Sequence, residues 1–287
     1  MRKTAIIDIG SNSVRLMLTA GGKVLYKTLN TTRLGEGIAS SPLLKESAIV
    51  RTADAVAEFA VRAGAEGAEE VRAFATAAVR SAENGADFVA RVKARCGLEV
   101  EVLSGETEAE VGILGALGKG DGGLVDAGGA STEIIVRREG KIVYEKSVNI
   151  GVVRLKDMCG RDRDKLFAAA EKAAAEYGKV PLAEPFCAVG GTATTLASVL
   201  LGLTEYDPAR VTGAKISAGQ MRALAEKLTA MTPEEIMAFP TVPEKRADVL
   251  GGGAVLLSVL MDRLGIPELT ASDSDNLEGY AKLRGLM

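Results

Sequence analysis

One motif occurs twice in this chain, and the duplication limits what the chain can fold into. Residues 7–27 (IDIGSNSVRLMLTAGGKVLYK) align without a gap with residues 125–145 (VDAGGASTEIIVRREGKIVYE), and Asp8 matches Asp126. Each copy consists of short β-branched runs separated by glycine turns, a pattern typical of consecutive strands. The repeat therefore predicts two β-meanders, each with a carboxylate at the end of its first strand.

The remainder of the chain is dominated by helical periodicity. Helices are predicted over 46–63, 84–95, 107–117, 162–177, 192–201, 217–230, 232–238, 244–264 and 275–284, and further strands over 98–103 and 267–271. Strands and helices mixed in this order indicate an α/β protein. A length of 287 residues allows one large or two medium domains.

The composition excludes several kinds of chemistry. The chain has no histidine, which rules out Ser-His-Asp and Cys-His triads and histidine-bound zinc. It has no tryptophan and a net charge of −3, so we expect neither nucleic acid nor an anionic membrane as a partner. Three scattered cysteines and the lack of a long apolar segment favour a cytoplasmic protein.

Two glycine turns are candidate phosphate loops. The first runs from Asp8 to Ser13, and the second from Asp126 to Thr132. Their small polar side chains and backbone N–H groups can form a nest for an anion, and Asp8 is placed to hold a hydrated Mg²⁺. An ordinary hairpin turn explains either copy alone, but the doubling favours two loops that hold consecutive phosphates in a cleft between two domains.

Two further motifs follow strands and open helices. In residues 104–110 (SGETEAE) a carboxylate could orient a water molecule, although Thr107 and Glu110 also have the spacing of a capping box. Residues 189–195 (VGGTATT) could bind phosphate at a helix N-terminus or simply connect a strand to a helix. Arg33 and Arg80 are candidate phosphate ligands, against the common alternative of solvated surface charges.

Several of these motifs together resemble the exopolyphosphatase / guanosine pentaphosphate phosphohydrolase family. The resemblance rests on segments that occur in the family's order: AIIDIGSNSVRLML, TTRLGEGI, ATAAVRSAEN, EVLSGETEAEVG, LVDAGGASTEI, VNIGVVRL, AVGGTATTLA, KRADVLGGGAVLL and ASDSDNLEGY. It covers nearly the whole chain. It implies duplicated ribonuclease H-like domains of the actin, sugar kinase and heat-shock ATPase superfamily, the first formed by residues 1–118 and 271–287 and the second by residues 119–270.

The resemblance also implies roles for individual residues. Glu108 would position the attacking water, and Asp126 would be the carboxylate associated with Mg²⁺ (or Mn²⁺) and the water. Asp8 would belong to the first phosphate loop, and its place in the turn also makes it a candidate metal ligand. The implied phosphate ligands are Ser11, Asn12, Ser13, Arg33, Arg80, Gly128, Gly129, Ser131 and Thr132, to which the glycine turn adds Gly190, Gly191 and Thr192. The implied activity is release of terminal orthophosphate from polyphosphate or guanosine pentaphosphate. The oligomeric state is left open, with a homodimer as one possibility.

The chain departs from the family pattern at three positions. Ala130 replaces a glycine, Glu110 stands where many members have arginine, and Leu277 lies where an arginine is expected. These departures leave open a non-catalytic sensor of polyphosphate or an alarmone. The glycine turn at Gly190 keeps open an ATP-dependent small-molecule kinase of the same superfamily.

Overall fold

The structure, a computed structural model, describes residues 1–38 and 41–287. The chain forms two compact units. The first comprises Met1–Gly115 and Asn276–Met287, and the second comprises Ala116–Asp275. Within the described residues, none of the helices combines the length and the apolar character that crossing a membrane requires.

The first unit is built on a five-stranded mixed sheet in the order β3-β2-β1-β4-β5. Its strands are β1 (Lys3–Ile9), β2 (Ser13–Ala20), β3 (Lys23–Thr31), β4 (Glu70–Ala75) and β5 (Val100–Val102). Its helices are α1 (Glu46–Ala65), α2 (Ala77–Ser81), α3 (Gly85–Cys96), α4 (Gly105–Leu117) and α13 (Asn276–Leu283). The first three strands form the predicted antiparallel meander, and β4 and β5 continue the sheet in parallel.

The second unit repeats this order and adds an edge strand, giving β10-β11-β9-β6-β7-β8. Its strands are β6 (Gly122–Ala127), β7 (Thr132–Arg138), β8 (Lys141–Val148), β9 (Phe186–Val189), β10 (Lys215–Ser217) and β11 (Glu268–Ala271). Its helices are α5 (Val152–Cys159), α6 (Arg163–Glu176), α7 (Gly190–Leu200), α8 (Pro208–Val211), α9 (Ala218–Ala230), α10 (Pro233–Met237), α11 (Glu244–Ala247) and α12 (Leu250–Leu264).

The two meanders match in register as well as in order. In the first, a β-bulge lies between Leu18 and Thr19, and in the second it lies between Val136 and Arg137, the aligned positions of the repeat. A bulge raises the local twist of a strand, so the same distortion has been retained in both copies. Two mixed sheets with one shared strand order confirm the predicted α/β fold with duplicated ribonuclease H-like domains.

The strands β1 and β2 bury side chains on both faces of the first sheet. One face, which carries Ile7 and Leu16, packs against α1 and α3. The other face carries Ile6 and Met17 and packs against a smaller apolar cluster that includes Leu277 of α13. Leu277 is 1% exposed, so the residue at the position expected to be arginine serves here as a core side chain.

The single helix predicted over 244–264 is two helices, and this expectation was wrong. The backbone N–H of Val249 donates to the carbonyl of Arg246 at 3.1 Å, a three-residue turn that interrupts the four-residue ladder. The ladder resumes where the N–H of Gly253 donates to the carbonyl of Val249. The turn separates α11 from α12, a difference that apolar periodicity alone does not reveal.

Candidate functional site

The first phosphate-loop candidate is a tight turn between β1 and β2. The N–H of Gly10 donates to the carbonyl of Ser13 at 3.1 Å, and a Cβ atom at Gly10 would lie 3.3 Å from that same oxygen. The second loop has the same fit, with a Cβ atom at Gly128 lying 3.1 Å from the carbonyl oxygen of Ser131. Glycine thus lets both turns close tightly after the carboxylate that precedes them.

The segment that contains Arg33 is docked on the first loop by its backbone. The N–H groups of Thr32 and Arg33 both donate to the carbonyl of Asn12, and the N–H of Gly35 donates to that of Ser11 at 2.8 Å. Arg33 has φ = 52°, in the left-handed region that non-glycine residues rarely adopt. This arrangement holds the exposed Arg33 side chain beside the loop at the cost of local backbone strain.

Asp8 is buried and forms an ion pair with Arg15, the residue directly opposite it in the β1–β2 register. The Nε and Nη2 atoms of Arg15 both donate to Oδ2 of Asp8, with Nε at 3.0 Å. The metal role of Asp8 stays a prediction. The guanidinium group of Arg15 already balances the negative charge of this carboxylate. Arg15 was not foreseen, although its place opposite Asp8 follows from pairing the two strands of a tight hairpin.

Glu108 lies in the first turn of α4, which begins earlier than the sequence suggested. Ser104 caps the helix, because its Oγ accepts from the N–H of Thr107 at 3.1 Å. The capping residue is therefore Ser104 and not Thr107. The side chain of Glu108, at the end of this first turn, is 18% exposed, whereas Glu110 faces solvent.

Arg80, at the end of α2, reaches Glu108. Its Nη1 atom lies 2.6 Å from Oε2 of Glu108 and 2.9 Å from the carbonyl oxygen of Leu103. The structure thus brings together the predicted catalytic glutamate and one predicted phosphate-binding arginine. Since the arginine side chain is 33% exposed, an entering phosphate could reach its guanidinium.

The second loop is held by the start of α5. The N–H groups of Val152 and Val153 donate to the carbonyls of Gly128 and Gly129, each at 3.0 Å. A Cβ atom at Gly151 would lie 2.6 Å from the carbonyl oxygen of Gly128, so only glycine fits this approach. The same backbone connection recurs in both units, because Gly35 bonds to Ser11 at the aligned positions.

Asp126 is directly opposite Glu133 in the β6–β7 register, and both are partly exposed. Glu133 accepts a hydrogen bond from Oγ of Ser147 at 2.6 Å. Residues opposite each other on paired strands share a face, so two carboxylates lie where the first unit has an aspartate and an arginine. Glu133 is not among the predicted site residues, because the aligned position of the first copy is Arg15 and the repeat shows no shared carboxylate there.

This pair of carboxylates fits a hard divalent cation. No cluster of three or more acidic, cysteine or histidine side chains able to hold a metal occurs within residues 1–38 and 41–287. Magnesium is commonly bound through one or two carboxylates, with substrate phosphates and waters completing its shell. The donor set at Asp126 and Glu133 therefore suits a metal that is completed by a phosphorylated substrate.

The glycine turn before α7 lies against Asp126. Gly190 has φ = 81°, and a Cβ atom there would lie 2.7 Å from Oδ1 of Asp126. The hydroxyl of Thr192 donates to the carbonyl of Ala127 at 3.0 Å, and the hydroxyl of fully buried Thr132 donates to that of Ile150 at 2.6 Å. Both hydroxyls are thus engaged with backbone carbonyls of the protein. The backbone N–H groups of their loops are therefore the better candidates for contact with a ligand.

Three further polar residues of the second unit were not predicted: Arg246, Tyr206 and Asp273. Nη1 of Arg246 donates to the carbonyl of Gly191 and to Oγ1 of Thr195, the latter at 2.9 Å. The hydroxyl of Tyr206 donates to Asp273. Burial and this hydrogen bond raise the pKa of Tyr206, so it remains a neutral donor at physiological pH.

The predicted residues fall into two groups, one in each unit. The first unit carries the following residues: Asp8, Ser11, Asn12, Ser13, Arg33, Arg80 and Glu108. The second unit carries the following residues: Asp126, Gly128, Gly129, Ser131, Thr132, Gly190, Gly191 and Thr192. Within each unit the members lie at or beyond the sheet edge where β1 or β6 ends, and the carboxyl ends of strands in an α/β sheet form the edge where ligands usually bind.

Known proteins resemble this chain over nearly its full length. Exopolyphosphatase 2 of Mycobacterium tuberculosis is 31% identical, covering 98% of both chains. A guanosine-5'-triphosphate,3'-diphosphate pyrophosphatase of Photobacterium profundum is 30% identical over 96% of this chain and 58% of its own length. The crystal structure of an Aquifex aeolicus Ppx/GppA family member superposes with a TM-score of 0.82 at 30% identity, covering 99% of this chain and 98% of that one. The model of the Ppx/GppA phosphatase family matches residues 17–281, and the chain belongs to that family.

Proposed function

We propose that this chain is a metal-dependent exophosphatase that releases terminal orthophosphate from inorganic polyphosphate or guanosine pentaphosphate. Membership of the Ppx/GppA phosphatase family supports hydrolysis of phosphoanhydride bonds, as do relatives named for each of the two substrates. The observation that carries the proposal is the ion pair between Arg80 and Glu108, which joins a phosphate-binding cation to a carboxylate able to orient water.

Each unit contributes a loop for phosphoryl groups. In the first unit, the backbone of Ser11 to Ser13 and the guanidinium groups of Arg33 and Arg80 provide donors for phosphate oxygens. In the second unit, the backbone of Gly128 to Ser131 does so. Thr132 and Thr192 contribute by fixing the loops, since their hydroxyls are bonded to carbonyls within the protein.

Glu108 would orient the attacking water for in-line displacement. Phosphoryl transfer depends mainly on positioning and on stabilising charge, and little of it requires covalent chemistry by the protein. Bound Mg²⁺ or Mn²⁺ supplies Lewis acidity to the phosphoryl oxygens, and Asp126 with Glu133 would hold it. Arg80 would donate to phosphoryl oxygens, and it also fixes the carboxylate of Glu108.

The decisive experiment measures orthophosphate release from polyphosphate and from guanosine pentaphosphate, with Mg²⁺, by the wild type and Glu108→Gln. We expect release by the wild type and a loss of roughly 100-fold or more in the variant, the scale of a lost catalytic group. Glu106→Gln is the matched control, because Glu106 lies in the same turn of α4 and is exposed.

The remaining candidates predict different results. A sensor would bind tripolyphosphate without turnover, and its binding would be the same in Glu108→Gln. A kinase would release little orthophosphate and would transfer phosphate from ATP to an added acceptor. Absence of release from either substrate by a folded wild-type protein would contradict the proposed activity.

A further inference from the structure

Arg154 lies in the first turn of α5 and is fixed on the second loop. Its backbone N–H donates to the carbonyl of Gly129 at 3.2 Å, and its Nε donates to the carbonyl of Ala130 at 3.1 Å. The residue is half-buried. The backbone bond ties the start of α5 to the loop, and the bond from Nε ties the guanidinium group itself to the loop.

The charge of Arg154 is not balanced by an acidic side chain. Within residues 1–38 and 41–287 its guanidinium group forms no ion pair, whereas Lys156, two positions further along α5, pairs with Asp248. Since Nε is engaged with Ala130, the two Nη groups are the donors that Arg154 can offer to a ligand. Their planar geometry matches two oxygens of one phosphate.

The repeat gives this arginine a counterpart of opposite charge. At the same offset that aligns the meanders, Glu133 matches Arg15 and Arg154 matches Glu36. In the first unit the arginine is on β2 opposite Asp8, and Glu36 pairs with a surface lysine at 2.7 Å. In the second unit the two charges are exchanged: the strand position carries Glu133, and the later position carries Arg154. Of these two repeat positions, each unit thus has an arginine at one: Arg15 on the strand in the first unit, and Arg154 at the later position in the second.

The exchange has an electrostatic consequence for the second loop. Two carboxylates, Asp126 and Glu133, share one face there, and both repel a phosphate chain. A divalent cation bound by these carboxylates offsets part of that repulsion. Arg154 adds a further positive charge that is fixed to the loop backbone.

We propose that Arg154 is a phosphate-binding residue of the second unit, where its Nη groups hold one phosphoryl group of a linear phosphate chain. This inference rests on the proposed function and adds a substrate contact to it. It also gives Ala130 a role despite its departure from the family's glycine, since only the Ala130 carbonyl, and not its side chain, is needed to fix Arg154.

The test measures binding of inorganic tripolyphosphate by calorimetry in a Glu108→Gln parent, in which turnover does not interfere. Arg154→Gln, Arg154→Lys and the control Arg163→Gln are each added to that parent, and thermal unfolding is recorded for all four proteins. Arg163 is exposed at the start of α6, so its replacement makes the same charge change away from the loop.

We expect Arg154→Gln to weaken binding about 10- to 100-fold, Arg154→Lys to recover part of the loss, and Arg163→Gln to stay within about twofold. Affinity within about twofold of the parent in Arg154→Gln would overturn the proposal. So would a loss that lysine does not relieve and that accompanies a lower melting temperature, because it would mean that Arg154 only braces Ala130. Failure of the proposed function is seen separately, as absence of phosphate release by the wild type.

Discussion

Arg80 and Glu108 form an ion pair in which Nη1 of the arginine lies 2.6 Å from Oε2 of the glutamate. In the proposed reaction the pair would couple two components that an exophosphatase needs, a cation for the terminal phosphate and a carboxylate for the water. If Arg80 binds phosphate as proposed, an entering phosphate would compete with Glu108 for the same guanidinium group. In the proposed reaction, binding of the substrate phosphate would therefore free the Glu108 carboxylate to contact the attacking water.

Replacing Arg80 tests this link. We expect Arg80→Gln to lower kcat/KM for phosphate release by about 100-fold or more, because it removes a charged donor from the transferred group. Arg80→Lys should recover only part of the loss, since lysine lacks the planar fork. Steady-state phosphate release measures both effects. Arg91→Gln, at an exposed arginine of α3 that pairs with Glu46, is the control and should leave the rate unchanged.

Metal dependence should distinguish the two aspartates of the repeat. We expect Asp126→Asn and Glu133→Gln each to raise the Mg²⁺ concentration for half-maximal activity by about tenfold or more, because each removes a charged oxygen ligand. Asp8→Asn should leave that concentration nearly unchanged and lower the melting temperature, because it leaves Arg15 without its buried partner. An equal shift in all three variants would show that Asp8 is also a metal ligand.

The left-handed backbone of Arg33 can be separated from its charge. Arg33→Ala and Arg33→Gly both remove the guanidinium group, and both should bind tripolyphosphate more weakly than the wild type does. Only glycine relieves the strain at φ = 52°, so we expect Arg33→Gly to be the more stable of the two by about 1 kcal/mol. Urea denaturation measures the difference, and equal stabilities would argue against strain at this position.

The fit of Gly190 against Asp126 predicts a selective loss of activity. Gly190→Ala and Gly178→Ala both place a side chain at positive φ and should each cost about 1–2 kcal/mol of stability. Only the alanine at Gly190 meets the Asp126 carboxylate, whereas a Cβ atom at Gly178 has no neighbour within 4 Å. Activity should therefore fall in Gly190→Ala and persist in Gly178→Ala. A comparable loss in both would attribute the effect to the backbone alone.

Alkaline pH should destabilise the first unit through Tyr280. Burial and the hydrogen bond to Glu101 raise the pKa of Tyr280 from 10.0 to about 12. The neutral hydroxyl thus favours the folded state below pH 10, and this contribution is lost as the pH rises toward 12. Tyr280→Phe keeps the ring that stacks on Phe74 and removes the titration. Its stability should fall less than that of the wild type across this range.

The sequence predicted the parts of this protein that depend on local pattern. The duplicated meander, most helices and the residues of both loops could be read from periodicity, glycine positions and family motifs. Residues brought in from elsewhere in the chain could not. Arg154 contacts Ala130 and Arg246 contacts Gly191 only because tertiary packing brings their helices to these loops. The ion pair of Arg80 with Glu108 likewise joins two motifs that the sequence presents separately.

The matched bulges of the two meanders lie beside hairpin tips that are suited to labelling the protein. Each bulge lies near the hairpin tip, and the loops that follow Asp8 and Asp126 are at the other end of the same strands. The strand β2 has eight residues, which places its tip roughly 25 Å from the first loop. Gly140, at the second tip, is exposed and has open space around it. An affinity tag inserted at this tip would therefore lie far from the loop that is proposed to bind phosphate.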